Sequence, residues 1–167
     1  MATTVTFEGA VLNLEGSLPA AGDKAPAFTL INNDLAPVTL DDYAGKVLVL
    51  VSVPSLDTPV CDMEVRRFNA EAAALSDKVA IAAVSRDLPF AQARWCGAAG
   101  VKAVATLSDY VDGSFGRAYG VYIRELALLT RAIIVVKDGV VAYTQLVPEV
   151  TNQPDFDAAL AAVRALV

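Results

Sequence analysis

The stretch KVLVLVSVPSLDTPVCDMEVRRF, Lys46–Phe68, joins a continuous apolar run to a pattern with helical spacing. The run consists almost entirely of leucine and valine, which is typical of a strand buried on both faces of a sheet. A proline ends it, and seven residues later a cysteine falls in the first turn of a predicted helix. Thr58 is a suitable N-cap for that helix and Pro59 a suitable first residue. The stretch therefore predicts a strand–loop–helix unit with Cys61 at the helix N-terminus.

Patterns of the same kind continue on both sides. Strands are predicted at KVAIAAVS, Lys78–Ser85, and around residues 105–107, and hairpins over residues 5–14 and at the turn Lys137–Asp138–Gly139. The predicted helices are residues 64–75, a segment that starts near Pro89 and ends at Gly97 or Gly100, residues 113–119, and residues 154–166. This order predicts one domain, residues 1–167, with a thioredoxin-like α/β fold: one central mixed sheet flanked by helices, with an N-terminal β-hairpin.

The composition limits the classes of function. A chain of 167 residues is long enough for one full hydrophobic core, and no apolar run approaches the length of a bilayer span. The N-terminus lacks the pattern of a secretory signal, so we expect a cytoplasmic location. The net charge of −6 disfavours binding to nucleic acid or to an anionic membrane, because both need a basic surface.

The chain contains two cysteines and no histidine. Two cysteines are too few for a disulfide scaffold. The absence of histidine disfavours a zinc site and excludes hydrolases that pair a nucleophile with an imidazole. We therefore expect no metal and no cofactor, and any chemistry must use other groups.

Cys61 is the candidate nucleophile. Free amide groups and the positive end of the helix dipole favour a thiolate in the first turn of a helix. An ordinary thiol is about 3% ionised at pH 7, so complete ionisation raises reactivity at most about thirtyfold, and further donors must stabilise the transition state. Arg66 and Arg67 could support ionisation, whereas Asp62 and Glu64 would oppose it if they faced the sulfur. The alternative is a buried, inert cysteine; we expect an accessible sulfur.

The residues Pro54, Thr58 and Cys61 fit the pattern P-x-x-x-T-x-x-C, which resembles the peroxidatic signature of the peroxiredoxins. Longer blocks resemble the thiol peroxidase subfamily, of the atypical two-cysteine type, and the resemblance extends over essentially the whole chain. These blocks are SVPSLDTPVCDMEVRRFN, SRDLPFAQARWCGAAG, RAIIVV and QLVPEVTNQPDFDAAL.

The resemblance implies a peroxidase that reduces hydrogen peroxide and alkyl hydroperoxides. Cys61 would attack the terminal peroxide oxygen and become a sulfenic acid. Thr58 would hydrogen-bond the sulfur and the peroxide, Pro54 would shield the pocket from water, and Arg131 would hold the thiolate and orient the peroxide. Read locally, Thr58 could be only a helix cap, Pro54 only the end of a strand, and Arg131 a surface-paired arginine.

Cys96 would be the resolving cysteine, which forms an intramolecular disulfide with Cys61 that thioredoxin or a similar dithiol reduces. The alternative is a structural disulfide, worth roughly 4 kcal/mol in the chain-entropy model, and the absence of a signal peptide disfavours it. We predict that the Cα atoms of the reduced pair lie more than about 7 Å apart. The turns that carry the cysteines must then unwind, which Gly97 and Gly100 would ease.

The apolar segments beyond Gly113 have two interpretations. Tyr119–Tyr122 and Arg124–Leu129 could form an apolar wall for organic hydroperoxides, or could serve packing or a dimer face. The resemblance implies a homodimer formed through the active-site side. Phe90 and Trp95 are expected to be core anchors.

Two other functions use the same cysteines. A redox-sensing interaction protein would use the disulfide to change a partner surface. A disulfide oxidoreductase of thioredoxin type is disfavoured because the C-x-x-C motif is missing: Thr58 and Glu64 occupy the positions three residues before and after Cys61.

Overall fold

A computed structural model describes residues 3–72 and 74–167 of the chain. The apolar run of the opening stretch forms a strand, Val47–Ser52, in which every residue is buried. It lies inside a seven-stranded sheet and pairs in parallel with the next strand along the chain. Because both of its faces are buried, this strand has no polar side chain except that of Ser52. The Ser52 hydroxyl donates to the carbonyl of Thr130 at 2.8 Å.

The described strands form two sheets. In chain order they are β1 (Thr4–Phe7), β2 (Ala10–Glu15), β3 (Thr29–Ile31), β4 (Pro37–Thr39), β5 (Val47–Ser52), β6 (Val79–Ser85), β7 (Val104–Ser108), β8 (Tyr122–Ile123), β9 (Leu128–Leu129), β10 (Ala132–Lys137) and β11 (Val140–Leu146). The large sheet has the order β11-β10-β5-β6-β7-β3-β4, with β5, β6 and β7 parallel and β10 antiparallel to β5. The predicted central mixed sheet is thus confirmed.

Four α-helices and one 3₁₀ helix connect the strands: Leu40–Tyr43 (3₁₀), α1 (Pro59–Ala72), α2 (Pro89–Ala99), α3 (Ser114–Ala118) and α4 (Phe156–Arg164). Helix α1 joins β5 to β6, and α2 joins β6 to β7. Both connections are right-handed crossovers to the next strand on the same side, so both helices lie on the same face of the sheet. Side chains of α1 and α4 share one core cluster with Val49, Val51 and Ile133 from the sheet. This cluster contains Cys61.

The N-terminal hairpin, β1 and β2, belongs to a second sheet. Leu14 of β2 pairs with Ile123 of β8, and the order of this four-stranded sheet is β1-β2-β8-β9. The sequence predicted the hairpin but only one sheet. Strands β8 and β9 have two residues each, which is too short for an alternating pattern to reveal them.

The predicted helices differ from the observed ones mainly at their ends. Helix α1 begins at Pro59, as its cap residues indicate, and Leu75 lies beyond it in a bend. Ala73, inside the predicted helix, lies outside the described residues. Helix α2 passes through Gly97 and ends before Gly100, which adopts the left-handed conformation at the C-cap. Within the described ranges, no helix combines the length and the hydropathy needed to cross a membrane.

Candidate active site

Cys61 lies in the first turn of α1 and is completely buried, with an exposed fraction of 0%. The helix begins where the amide of Asp62 donates to the carbonyl of Thr58 at 3.0 Å. The expectation of an accessible sulfur is wrong, because the cysteine packs into the core cluster that also contains Val53 and Leu56. Burial alone would favour a neutral thiol, so a thiolate at this position needs a charged partner.

Arg131 is that partner. It directly precedes β10, and Ala132 pairs with Ser52, so the antiparallel register places Arg131 beside the loop that follows β5. Its Nη2 donates to Cys61 Sγ at 3.3 Å and its Nε donates to the carbonyl of Val150 at 2.9 Å. The side chain is 2% exposed, which rules out a surface-paired arginine. The buried guanidinium thus places a positively charged hydrogen-bond donor directly beside the sulfur.

Glu64 completes the buried group and was not predicted as a site residue. It follows Cys61 by three positions on α1, so both side chains lie on one face of the helix. One carboxylate oxygen, Oε2, accepts a hydrogen bond from Arg131 Nη1; the other has no partner among the described residues. Burial raises the pKa of Glu64, and the Arg131 charge partly opposes this shift. The i, i+3 spacing was the available signal, but spacing alone does not show which acid faces inward.

Asp62, the other acid considered, turns away from Arg131. Its carboxylate accepts hydrogen bonds from Arg66 Nε at 3.0 Å and from Trp95 Nε1 at 2.7 Å. Asp62 therefore joins α1 to α2. Arg66 is occupied by this contact, and Arg67 pairs with the exposed Asp157 at 3.7 Å.

Thr58 and Pro54 lie in the loop between β5 and α1. The Thr58 hydroxyl donates to the carbonyl of Ser55 at 2.9 Å. Across residues 3–72 and 74–167, the structure contains no hydrogen bond from this hydroxyl to the Cys61 sulfur. Pro54 is buried two residues after the end of β5, a placement compatible with both interpretations of this residue.

Asp87 fixes this loop, a role that the sequence did not reveal. It follows β6, and its carboxylate accepts hydrogen bonds from the Ser55 hydroxyl at 2.7 Å, the Leu56 amide at 2.9 Å and the Ser85 hydroxyl at 2.8 Å. The loop is thereby tied to the carboxyl end of the neighbouring parallel strand. The position of this loop relative to Cys61 therefore depends on Asp87, which lies 26 positions after Cys61 in the chain.

Cys96 lies on α2 and is partly buried. Its sulfur is 3.4 Å from the Thr106 hydroxyl and 4.0 Å from Asn33 Nδ2, and the hydroxyl of Thr106 donates to Asn33 Oδ1. Both cysteines are free. The two sulfurs thus have different partners: Cys61 contacts Arg131, and Cys96 contacts Thr106 of β7.

Of the two interpretations of the segments beyond Gly113, the structure supports packing. Tyr119, Tyr122 and Leu129 are buried in a core cluster that does not contain Cys61. Trp95 packs partly against the cluster of Cys61, as a core anchor should. Phe90 is 66% exposed, so its expected role in the core is wrong.

Comparisons with known proteins agree with this geometry. A family model described as redoxin matches residues 20–160. A thiol peroxidase of Halalkalibacterium halodurans is 52% identical over 163 residues, 97% of this chain and 98% of that protein. A thiol peroxidase of Bacillus subtilis is 49% identical over 164 residues, 98% of each chain. The chain belongs to the thiol peroxidases of the redoxin family.

The solved structures place this thiol peroxidase in the same fold. A peroxiredoxin-like protein from Aquifex aeolicus superimposes with a TM-score of 0.92 at 36% identity, over 99% of both chains. The resemblance stated from the sequence blocks is therefore confirmed, as is the thioredoxin-like fold. The protein is a peroxidase of the peroxiredoxin type, and its chemistry depends on a thiol.

Proposed function

We propose that this thiol peroxidase reduces hydrogen peroxide and alkyl hydroperoxides with Cys61 as the peroxidatic nucleophile. The observation that carries the proposal is the buried Arg131 guanidinium, 3.3 Å from the Cys61 sulfur at the start of a helix. Positive charge from both sources favours the thiolate, and only the thiolate is a strong nucleophile. Cys96, whose sulfur has no cationic partner among the contacts of the described residues, suits the second step better than the first.

In the first step, the thiolate attacks the terminal oxygen of the hydroperoxide. A sulfur–oxygen bond forms as the oxygen–oxygen bond breaks, so Cys61 becomes a sulfenic acid and the alkoxide takes a proton from water to leave as an alcohol. Arg131 stabilises the charge that moves from sulfur to the leaving oxygen. Thr58 would assist only after its hydroxyl releases the carbonyl of Ser55. Pro54 would keep water from the sulfur.

In the second step, the thiol of Cys96 attacks the sulfenic sulfur. The sulfur–sulfur bond forms, the sulfur–oxygen bond breaks, and hydroxide leaves with the thiol proton as water. Thioredoxin or a similar dithiol then reduces the disulfide and is itself oxidised to a disulfide. Cys96 must leave Thr106 and Asn33 for this step, which agrees with the predicted unwinding of the turns around both cysteines.

The proposal includes a homodimer and a cytoplasmic location. The exposed Val111 and Leu126 are apolar side chains that a second copy could cover. Recycling by a dithiol requires a reducing compartment, as in the cytoplasm.

The test is peroxide-dependent oxidation of NADPH with thioredoxin and thioredoxin reductase. We expect sustained turnover with hydrogen peroxide and with cumene hydroperoxide, none with Cys61→Ser, and one turnover with poor recycling for Cys96→Ser. Arg131→Lys should slow the first step about 100-fold, because a lysine cannot bind Glu64, Val150 and the sulfur at once. Arg124→Lys, at an exposed arginine paired with Glu15, is the matched control.

A single stoichiometric oxidation without turnover would instead favour the redox sensor. Full thioredoxin-coupled turnover in Cys96→Ser would remove the resolving role of Cys96. An unchanged first step in Arg131→Lys would contradict the role of the guanidinium.

A further inference from the structure

A polar cluster joins the two helices that carry the cysteines. Asp62 follows Cys61 directly, and Trp95 directly precedes Cys96. The indole Nε1 of Trp95 donates to Asp62 Oδ1 at 2.7 Å, and Arg66 Nε donates to both oxygens of the same carboxylate at 3.0 Å. These three residues, here called the latch, connect the first turns of α1 to the last turns of α2.

Arg66 extends the latch along α2. Its Nη1 donates to the carbonyl of Ala99 at 3.4 Å, and its guanidinium carbon lies 5.8 Å from the centre of the Trp95 ring. Trp95 and Ala99 also pack partly against the core cluster that contains Cys61. The last turns of α2 are therefore held against α1 by a charge-assisted hydrogen bond, a cation–π contact and apolar packing.

The latch determines which way Cys96 faces. Successive residues on a helix project about 100° apart, so Trp95 turned to α1 leaves Cys96 turned to β7. The sulfur there is 3.4 Å from the Thr106 hydroxyl. As long as Trp95 stays on Asp62, the Cys96 sulfur cannot turn to Cys61 without distorting α2.

We infer that Asp62, Arg66 and Trp95 are positioning residues for the resolving step, and that opening of this latch sets the rate at which the Cys61–Cys96 disulfide forms. The inference rests on the proposed function, in which Cys96 resolves the Cys61 sulfenic acid. While the latch is closed, a second hydroperoxide can react instead. It then transfers an oxygen atom to the sulfenic acid, which becomes a sulfinic acid, and leaves as an alcohol. The latch therefore sets how much of the Cys61 sulfenic acid is recycled through the disulfide and how much is inactivated as sulfinic acid.

The test uses Trp95→Phe, which keeps the ring and removes the donor, and Asp62→Asn, which removes the charge. The full-length reduced protein is mixed with cumene hydroperoxide, quenched on the millisecond scale, alkylated and analysed by mass spectrometry. The rate of disulfide formation should rise about fivefold in each variant, because a partly exposed hydrogen bond to a charged group is lost. The hydroperoxide concentration that converts half of Cys61 to sulfinic acid should rise by the same factor.

A double-mutant cycle identifies the bond itself. If Asp62 and Trp95 act through one hydrogen bond, the doubly substituted protein should be accelerated clearly less than the product of the two single effects. The first oxidation of Cys61 should keep its rate in Trp95→Phe, which a general loss of structure would not allow.

Two controls separate the latch from general effects. Arg67→Gln removes the neighbouring arginine of α1, which contacts Asp157 and the ring of Phe156 instead of α2. Val163→Ala truncates the same core cluster in α4, a helix that carries no residue of the latch, and lowers stability. Neither should accelerate disulfide formation.

Disulfide formation at an unchanged or lower rate in both Trp95→Phe and Asp62→Asn would overturn the inference, as would equal acceleration in Val163→Ala. If the wild-type protein forms no Cys61–Cys96 disulfide, the resolving step of the proposed function is overturned. The inference about the latch then falls with it.

Discussion

Cys61, Arg131 and Glu64 form a buried row in which one cation lies between two groups that carry negative charge when ionised. The Glu64 carboxylate fixes the guanidinium, but it also competes with the sulfur for the positive charge of Arg131. Arg131 is held from a third side by the carbonyl of Val150 at 2.9 Å. Groups from three separate parts of the chain thus meet at the Arg131 guanidinium.

The pH dependence of stability should report on Glu64. Its ordinary pKa is 4.5, and burial raises the pKa in the folded protein. The folded state therefore holds the proton more tightly than the unfolded chain does, and the free energy of unfolding falls as the pH rises from 4.5 through the raised pKa. The amide of Glu64→Gln does not titrate, so this variant lacks the pH dependence that comes from Glu64. The stability of the wild type relative to Glu64→Gln should decrease by about 1 kcal/mol between pH 5 and pH 8.

Urea unfolding at several pH values measures this difference, with Glu71→Gln, a partly exposed acid on the same helix, as the control. A difference between wild type and Glu64→Gln that increases with pH would show that the Arg131 pairing outweighs burial.

The candidate residues were predictable where a motif named them. Pro54, Thr58, Cys61, Cys96 and Arg131 follow from the resemblance as candidates, and their roles stay predictions. The structure places Arg131 Nη2 3.3 Å from the Cys61 sulfur. The burial of Cys61 was not predictable, because the pattern of α1 shows an apolar face but not how deeply its first turn enters the core. Glu64 and Asp87 were missed because charged residues are usually exposed, and only the fold shows that these two bind the site.

At the scale of elements, the N-terminal hairpin is connected to the active site through one loop. Glu149 accepts hydrogen bonds from the Thr6 hydroxyl at 3.0 Å and the Gly9 amide at 3.0 Å, and the amide of Val150 donates to the carbonyl of Thr6 at 2.8 Å. The carbonyl of Val150 holds Arg131. The hairpin therefore supports the position of the guanidinium, although it lies in the other sheet.

Removing Glu149 should test this connection. Hydrogen bonds, first that of the Thr151 hydroxyl, lower the pKa of Glu149 to about 2, so its contribution is present above the ordinary value of 4.5 and is lost as the pH falls towards 2. At pH 7, Glu149→Ala should increase hydrogen exchange at the Val150 amide. It should also slow the single-turnover oxidation of Cys61 about threefold, by loosening one of the three contacts of Arg131.

Glu125→Ala is the matched control, because Glu125 binds the same hairpin through Asn13 at 2.6 Å but has no contact with the loop at Val150. Equal slowing in both variants would show that the hairpin affects the site only through general stability.

On the scale of the whole molecule, the chain that leaves the N-terminal hairpin meets the end of α3 and the turn after it through backbone that approaches too closely for side chains. A Cβ atom on Gly16 would lie 2.0 Å from the carbonyl oxygen of Arg117, and one on Gly120 would lie 2.2 Å from the carbonyl carbon of Ser17. The sequence predicted the hairpin from its alternation. Its docking could not be predicted, because β8 and Gly120, which receive it, lie more than 100 positions after Gly16 and have no periodic signal.

A matched pair of substitutions measures this junction. Gly16 and Gly45 have nearly the same φ, +83° and +81°, but an added Cβ on Gly45 meets no atom within 4 Å. Gly45→Ala should therefore lower the free energy of unfolding by about 1 kcal/mol through backbone strain alone. Gly16→Ala should lower it by about 3 kcal/mol more, because a rigid backbone must move. Chemical denaturation provides both values, and equal effects would contradict the close packing of Gly16 against the end of α3.

Trp95 is the single tryptophan of the chain, and its indole nitrogen lies on the carboxylate of Asp62. All indole emission of the molecule therefore originates at the contact between α1 and α2. Excitation of this one ring would follow the movement of the two helices during catalysis in real time, without any attached dye. The protein thus carries its own optical probe at the contact that the proposed resolving step has to open.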